Sequence, residues 1–303
     1  MATAVFTKMQ SLGNDFVMLD NFSTSLSLEP DVIRHLADRH VGIGCDQVIV
    51  ASPGDDSVDF FMRIFNADGS EVGQCGNGAR CFARYLAENG WTDKRHIVVQ
   101  TSSAQLELVL EDGGQVSVNI GTPVFEPTAV PFDSSTIEDD YVLRIGEDQV
   151  RIYIASIGNP HAVLLVDDIN CAPVESLGPA IECHPAFPQK ANVGFAQVCD
   201  RRHLKLRVWE RGVGETMACG SGASAATAVC RNQGLVDDSV EVELPGGMVE
   251  VSWSGRDGLW LRGPATTVYR GEIELAVAGV EPCSTLLTQF SADVKLAVSR
   301  ADA

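Results

Sequence analysis

Two nearly matching stretches constrain this chain more than any other feature of its sequence. The first reads Cys75-Gly76-Asn77-Gly78-Ala79, and the second, 144 residues further on, reads Cys219-Gly220-Ser221-Gly222-Ala223. The same shift places residues 62–65 on 206–209 and Glu71 on Glu215, while a shift of 145 places Gly13-Asn14 on Gly158-Asn159 and Gln47-Val48 on Asn192-Val193. An offset that is kept across three separated regions indicates an internal duplication, so we expect two related domains.

The pattern of apolar residues predicts both strands and helices in each half. Alternating stretches such as 58–66 and 203–210 predict strands, and a helix is predicted after each cysteine, ending near Gly90 and near Gly234. The expected class is α/β, in the mixed α+β sense, with two pseudo-symmetric repeats at 1–121 and 122–266. The proline-containing segment 121–139 is the candidate linker, and the tail 267–303 is expected to return to the first domain, with a strand through Val294, Leu296 and Val298.

The composition narrows the classes of function and the compartment. The net charge is −19, which disfavours binding to a polyanion such as a nucleic acid. No run of about 18 apolar residues is present, and residues 1–20 lack a basic segment before an apolar one. We therefore expect a cytoplasmic protein with no membrane segment. In that compartment its nine cysteines should be mostly reduced. They form no C-x-x-C pair, so no metal site is predicted.

The two cysteine motifs predict acid–base chemistry at a carbon atom. A cysteine at a helix N-terminus is expected to have a lowered pKa, and the glycines after it let backbone N–H groups reach an anion such as a carboxylate. Two such groups on opposite sides suit the inversion of a carbon that bears hydrogen, since a thiolate removes a proton from one face and a thiol delivers one to the other. Duplicated domains would place the two loops, and with them the active site, at the interdomain cleft.

Polar residues ahead of the cysteines come in matched pairs that break the symmetry at one point. Asn14 pairs with Asn159, and Gln47 pairs with Asn192, so amides recur at corresponding positions. The third pair is unequal, because Asn66-Ala67 in the first half corresponds to Glu210-Arg211 in the second. A carboxylate and a guanidinium suit an ammonium and a carboxylate group. The substrate is therefore expected to be unlike at its two ends.

At these residues the chain resembles diaminopimelate epimerase. The resemblance spans about residues 8–270 and departs from the family pattern at Gln10-Ser11, where His-Gly is common, and at Gly194, where a glutamate is common. It implies a cofactor-independent epimerase that interconverts LL-2,6-diaminopimelate and meso-diaminopimelate, usually as a homodimer, with each domain a curled mixed or antiparallel sheet around a central helix. By motif it implies Cys75 and Cys219 as the acid–base pair, and His161 as an assisting residue. The substrate-binding residues that it implies are Asn14, Gln47, Asn66, Gly76, Asn77, Asn159, Asn192, Glu210, Arg211, Gly220 and Ser221.

Two other functions fit parts of the pattern. A proline-racemase-like epimerase would use the same two cysteines on another amino acid, although Arg211 and the paired amides favour a substrate with a second polar end. A thiol redox switch would instead join Cys75 and Cys219 in a reversible disulfide. Turnover of diaminopimelate against proline and hydroxyproline separates the first alternative, and the effect of replacing Cys219 separates the second.

Overall fold

A computed structural model of the protein describes residues 2–22 and 28–275. In the described part of the first half, the α-helices are α1 (Pro30–Ala37) and α2 (Gly76–Glu88). Its strands are β1 (Ala2–Ser11), β2 (Asn14–Asp20), β3 (Gln47–Pro53), β4 (Phe60–Asn66), β5 (Glu71–Val72), β6 (His96–Gln100), β7 (Gln105–Leu110) and β8 (Gln115–Asn119).

The second half repeats this order. Its helices are α3 (Val174–Glu182) and α4 (Gly220–Asn232). Its strands are β9 (Tyr141–Ile145), β10 (Asp148–Ser156), β11 (Pro160–Leu165), β12 (Asn192–Asp200), β13 (His203–Glu210), β14 (Gly214–Thr216), β15 (Ser239–Leu244), β16 (Gly247–Ser252), β17 (Trp260–Pro264) and β18 (Thr266–Leu275). Among the helices of the described residues, none has the length and apolar character that crossing a membrane requires.

The chain divides into two compact units. Unit 1 contains residues 1–11, 15–106 and 265–303, and unit 2 contains residues 12–14 and 107–264. Strand β18 pairs antiparallel with β1 in unit 1, and β8 pairs antiparallel with β17 in unit 2. These units are drawn from compactness and differ from the repeats at 1–121 and 122–266, which stay a prediction. The strand predicted through Val294, Leu296 and Val298 lies outside the described residues.

In unit 1 a mixed sheet runs past the central helix α2. Strands β2 and β3 are parallel, β3 and β4 are antiparallel, and β4 and β6 are parallel. Nine of the 13 residues of α2 are buried, among them Phe82, Tyr85 and Leu86. On the other side of the sheet, α1 buries Ile33 and Leu36 against β1, β2 and β3.

Unit 2 has the same pattern of strand directions around α4. Strands β11 and β12 are parallel, β12 and β13 are antiparallel, and β13 and β15 are parallel. Ten of the 13 residues of α4 are buried, among them four alanines, and these small side chains let the sheet approach the helix closely. The expected class, a mixed sheet around a central helix in each of two duplicated domains, is confirmed.

The duplication extends to individual contacts. Residue Phe16 is opposite Gln47 between β2 and β3, and His161 is opposite Asn192 between β11 and β12, at a shift of 145. Both helices end alike, since Gly90 has φ 70° and Gly234 has φ 71°. A bidentate ion pair recurs at a shift of 144: Arg63 with Glu71 at 3.0 and 2.9 Å, and Arg207 with Glu215 at 2.6 and 2.9 Å.

The proline-containing segment 121–139 lies within unit 2 rather than between the units. Residue Val124 forms a bridge with Ser156 of β10, and Val130 and Phe132 are buried in the same apolar cluster as β9 and β10. The segment therefore connects β8 to β9 within one compact unit. Its apolar residues were the sequence signal for this packing, and its prolines obscured it.

Candidate active site

Cys75 begins helix α2. It is the N-cap residue, with extended backbone angles of φ −154° and ψ 105°, and its Sγ accepts the N–H of Gly78 at 3.3 Å. A Cβ added at Gly78 would lie 2.6 Å from Ile49 Cδ1 of β3, so glycine is needed where the helix starts against the sheet. The predicted sites Gly76 and Asn77 form the first turn of this helix, whose N–H groups point toward its N-terminus.

Cys219 begins helix α4 in the same way. It is the N-cap residue with φ −121° and ψ 107°, and its Sγ accepts the N–H of Gly222 at 3.4 Å. A Cβ added at Gly222 would lie 2.8 Å from Val208 Cγ2 of β13. The predicted sites Gly220 and Ser221 form the first turn. Each cysteine therefore has the same local geometry in its own unit, as the repeated motif predicts.

The surroundings of Cys219 hold its thiol in the protonated form. Its Sγ donates to Glu210 Oε2 at 3.1 Å, and Glu210 Oε1 accepts the hydroxyl of Thr216 at 2.5 Å. Burial raises the pKa of Cys219 well above its ordinary value, and the negative charge of Glu210 raises it further. The contacts with Ser221 and Gly222 lower the pKa of Cys219 but do not offset this. The expectation that the helix N-terminus lowers this pKa is wrong, because desolvation and the neighbouring carboxylate dominate.

A chain of polar contacts continues from Cys219 into unit 2. Ser221 Oγ lies 3.6 Å from Cys219 Sγ and accepts from Asn159 Nδ2 at 3.5 Å. Asn159 Oδ1 is 2.9 Å from His161 Nε2. Because an amide oxygen can only accept, this contact places the imidazole proton on Nε2.

His161 is buried and uncharged. Burial lowers its pKa to about 3, and the positive charge of Arg211 contributes to the lowering. Its Nδ1 is buried and has no hydrogen-bond partner in the described parts of the chain. A neutral imidazole with a bare Nδ1 can accept a proton or a hydrogen bond, and it cannot act as a resident cationic acid. The assisting role of His161 stays a prediction.

Asn192 and Arg211 complete the cluster in unit 2. Asn192 is buried, donates to the carbonyl of Pro160 at 3.2 Å and accepts the backbone N–H of Arg211 at 3.0 Å. The Arg211 guanidinium donates to the carbonyl of Gln189 at 3.0 Å and is otherwise exposed. The side chain of Asn192 therefore supports the turn that carries Arg211.

In unit 1 the predicted amides contact each other. Gln47 Nε2 donates to Asn66 Oδ1 at 3.0 Å, and Asn66 Nδ2 donates to Ser70 Oγ at 3.2 Å. Gln47 Oε1 is buried and finds no hydrogen-bond partner among the described residues. A buried acceptor of this kind is costly unless a ligand supplies the donor.

Asn77 belongs to a buried polar cluster that the sequence did not reveal. Its Oδ1 accepts from Arg80 at 2.7 Å, and the same guanidinium donates to Ser11 Oγ at 2.7 Å. Arg80 is fully buried, and burial lowers its pKa to about 10, while its charge interacts with the thiols of Cys81 and Cys75. Helix α2 also contains Arg84 and Glu88, so its sequence did not distinguish Arg80 from a surface arginine. Ser11, the partner of Arg80, stands at a position where the family pattern differs.

Asn14 belongs to unit 2, although the residues before and after it, 1–11 and 15–106, belong to unit 1. The neighbouring Leu12 is buried in the apolar cluster that also contains Cys219 and Leu244. A Cβ added at Gly246 would lie 2.0 Å from the carbonyl oxygen of Leu12, so this glycine lets the turn at residues 12–14 pack closely. The turn thus brings Asn14 into the unit that contains Cys219.

Comparison with known proteins identifies the family. The model of the family described as diaminopimelate epimerase matches residues 6–126 and 153–269, which together make up more than half of the chain. The chain belongs to the diaminopimelate epimerase family. Both matched segments contain one cysteine loop. Membership of this family makes the chain an isomerase of the amino-acid epimerase type.

Solved structures support the fold of this family member. A PhzF-family phenazine biosynthesis protein from Bacillus anthracis aligns with TM-score 0.66 and 17% identity over 91% of this chain and 100% of that one. A hydroxyproline epimerase from Agrobacterium vitis aligns with TM-score 0.64 and 16% identity over 89% and 92%. A methylitaconate-delta-isomerase aligns with TM-score 0.60 and 14% identity over 93% and 99%. At these identities the likeness concerns the fold alone.

Proposed function

We propose that this chain interconverts LL-2,6-diaminopimelate and meso-diaminopimelate by a two-base mechanism. The observation that carries the proposal is the equivalence of the two cysteines. Each is the N-cap of a 13-residue helix, and each Sγ accepts from the N–H group three residues on. Two acid–base groups with the same local geometry suit a reaction that must run from either configuration of one carbon.

In the proposed reaction a thiolate removes the α-proton and a thiol returns one to the opposite face. The electron pair of the broken C–H bond moves toward the α-carboxylate, where the first-turn N–H groups of the two helices stabilise the negative charge. The second thiol then gives its proton to the carbon and becomes the thiolate. No net oxidation or reduction occurs, and the two cysteines exchange protonation states in each turnover.

The raised pKa of Cys219 supports a starting state for the proposed cycle. Cys219 is held as a thiol by burial and by Glu210, so it is the proton donor in the resting protein. The proposed two-base mechanism then makes Cys75 the first base, and the buried cation of Arg80 interacts with it electrostatically. In the first turnover, Cys75 therefore removes the α-proton of the substrate, and Cys219 delivers its own proton to the opposite face.

The proposed substrate specificity rests on polar groups that differ between the units. Gln47 Oε1 is a buried acceptor suited to an ammonium group, and Glu210 is a carboxylate beside Cys219. The exposed guanidinium of Arg211 suits the carboxylate at the far end of diaminopimelate. A substrate without a charged far end would leave Arg211 without a role.

The test is isotope exchange with purified protein in heavy water. We expect deuterium to enter the α-carbon of LL-diaminopimelate, and Cys75→Ser and Cys219→Ser each to lower epimerisation by roughly 10²–10⁴-fold. Proline and hydroxyproline serve as comparison substrates. Faster turnover of either would favour the proline-racemase-like alternative. Full turnover by Cys219→Ser would overturn the two-base mechanism and leave a redox role for the cysteine pair.

A further inference from the structure

The turn that carries Arg211 is held by side chains from outside it. Strand β13 ends at Glu210, and the chain reverses through Gly212, which has φ 75°, into β14. The N–H of Arg211 donates to Asn192 Oδ1, and the N–H of Gly212 donates to Glu182 Oε1, both at 3.0 Å. Two consecutive amides of the turn are therefore bonded to buried side chains of other elements.

Glu182 is the centre of this arrangement. It is the last residue of α3, is 6% exposed, and accepts the indole N–H of Trp209 at 2.8 Å on Oε2. Lys190 Nζ lies 3.4 Å from Oε1. Burial raises the pKa of Glu182, but the hydrogen bonds from Trp209, Gly212 and Lys190 outweigh this, so its pKa is lowered and the group is ionised.

Helix α3 rests directly on the strand that leads into the turn. A Cβ added at Gly178 would lie 2.7 Å from Cγ of the Trp209 ring, so the helix and the indole are in close contact. Because Trp209 immediately precedes Glu210-Arg211, the packing of α3 sets where the turn begins, and the carboxylate of Glu182 sets where it bends.

The corresponding turn of unit 1 is held differently. Residues 66–70 follow β4, and Arg34 of α1 donates to the carbonyl of Asp68 at 2.9 Å. An exposed cation thus contacts a carbonyl in unit 1, whereas a buried anion contacts an N–H group in unit 2. The buried carboxylate occurs at the turn that carries Arg211, for which unit 1 has no equivalent, since Ala67 stands at that position.

We propose that Glu182 is a positioning residue that orients Arg211 for the distal carboxylate of the substrate. The proposal rests on the proposed function, since it concerns how the far end of diaminopimelate is recognised. Glu182 does not act on the reacting carbon. Its loss therefore changes substrate binding more than proton transfer.

The first test is the steady-state kinetics of Glu182→Gln with LL-diaminopimelate. We expect KM to rise roughly tenfold with kcat within about twofold of wild type, because a charged hydrogen bond to the turn is lost while the cysteine loops are untouched. Glu175→Gln, an equal charge change at an exposed position of the same helix, is the matched control and should leave KM unchanged. The proposal would be overturned if Glu182→Gln and Glu175→Gln showed the same fall in kcat and the same rise in KM.

A double-mutant cycle distinguishes positioning from general destabilisation. If Glu182 acts through Arg211, adding Glu182→Gln to Arg211→Met should raise KM by less than about twofold beyond the single Arg211→Met change. Independent, multiplying effects would overturn the proposal. Should Glu182→Gln fail to fold, Trp209→Phe removes a single hydrogen bond to the same carboxylate and enters the same cycle.

A readout without substrate separates this proposal from the proposed function. Trypsin cuts after arginine, and we expect Glu182→Gln to be cut after Arg211 faster than wild type and Glu175→Gln. If wild type fails to epimerise diaminopimelate while this cleavage accelerates, the proposed substrate is wrong and the role of Glu182 in holding the turn stands. Unchanged cleavage with an unchanged KM would overturn the role of Glu182 while the proposed function stands.

Discussion

The two cysteine loops have the same backbone conformation and differ in the charged residue near the cysteine. In both, a cysteine caps a helix and accepts from a glycine N–H at 3.3 or 3.4 Å. A buried arginine, Arg80, lies on the helix of unit 1, and Ser224 occupies the corresponding position of unit 2. Unit 2 instead places Glu210 against its thiol, where unit 1 has Asn66. The two units thus share the backbone geometry at the cysteine and differ in the charge near it, with a buried cation in unit 1 and an anion in unit 2.

The largest effect is expected from removing the anion beside Cys219. If Cys219 acts as proposed, Glu210→Gln should lower kcat/KM by roughly 10³-fold, because it removes the carboxylate that accepts from the Cys219 thiol. Alkylation of Cys219 by iodoacetamide should become faster, since the neighbouring charge no longer opposes the thiolate. Glu215→Gln, which changes the adjacent ion pair, is the control. An unchanged alkylation rate in Glu210→Gln would show that its charge does not set the state of Cys219.

Phe16 in unit 1 and His161 in unit 2 occupy equivalent strand positions, and of these two residues only the histidine can make stability depend on pH. The pKa of His161 is lowered to about 3 in the folded protein and is about 6.5 when unfolded. The unfolded state therefore binds the proton more tightly, and stability is lost as pH falls from 6.5 toward 3. Between about pH 7.5 and about pH 4, wild type should lose roughly 3 kcal/mol more than His161→Gln in urea unfolding. Parallel curves would contradict a buried neutral histidine.

Helices α2 and α4 pack closely against their sheets, and an added Cβ at this contact should destabilise the two units equally. Gly78→Ala introduces a Cβ 2.6 Å from a neighbouring side chain, and Gly222→Ala introduces one at 2.8 Å. Each substitution should lower the free energy of unfolding by about 1–3 kcal/mol. Gly194→Ala is the control, because its nearest contact is 3.5 Å. A clear difference between Gly78→Ala and Gly222→Ala in thermal unfolding would show that the units tolerate overpacking unequally.

The buried cation Arg80 of unit 1 should increase the rate at which Cys75 is alkylated. Arg80→Met should slow the alkylation of Cys75 by roughly tenfold at neutral pH, because a buried cation favours a nearby thiolate. Arg80→Lys should restore much of the rate, and Arg84→Met, one turn further along the helix, should leave it unchanged. Peptide mapping of the alkylated protein measures each rate. Slowing in Arg84→Met as large as in Arg80→Met would point to helix distortion rather than charge.

The smallest effect concerns the repeated ion pair. The Arg207 side chain is 26% exposed against 50% for Arg63, so Arg207→Met should cost more stability than Arg63→Met. We expect the difference to be about 0.5 kcal/mol, within the range of exposed pairs, and to shrink at high salt. Urea unfolding at low and high salt measures it. A larger cost for Arg63→Met would mean that its contact with the Phe65 ring, at 4.7 Å, matters more than burial.

Much of the fold was predictable because the local patterns agree with the final structure. Alternation over 203–210 corresponds to β13, and the segment from the cysteine to Asn232 corresponds to α4. Short strands such as β5 and β14 were missed, since two or three residues carry no periodic signal. The packing of 121–139 was also missed, because its prolines resemble those of a linker.

The candidate site was predictable in its residue types and less so in its charges. Pairing by the 144 and 145 shifts placed Gln47 and Asn192 at the ends of equivalent strands, where the structure has them. The burial of Arg80 and Glu182 was not predicted. Each is a charged residue in an ordinary helical pattern, and only its burial distinguishes it from a surface residue.

The sequence by itself determined the duplication, the helix after each cysteine and the glycines that the close packing of those helices requires. The duplication can be read by comparing the sequence with itself, and the helices can be read from local patterns of residue types. Only the tertiary structure decided that Cys219 is a thiol, that His161 is neutral and that Glu182 holds the turn of Arg211. The physical reason is that desolvation and charge act between groups far apart in the chain, such as Glu182 and Gly212, which come together only when the sheet and helices pack.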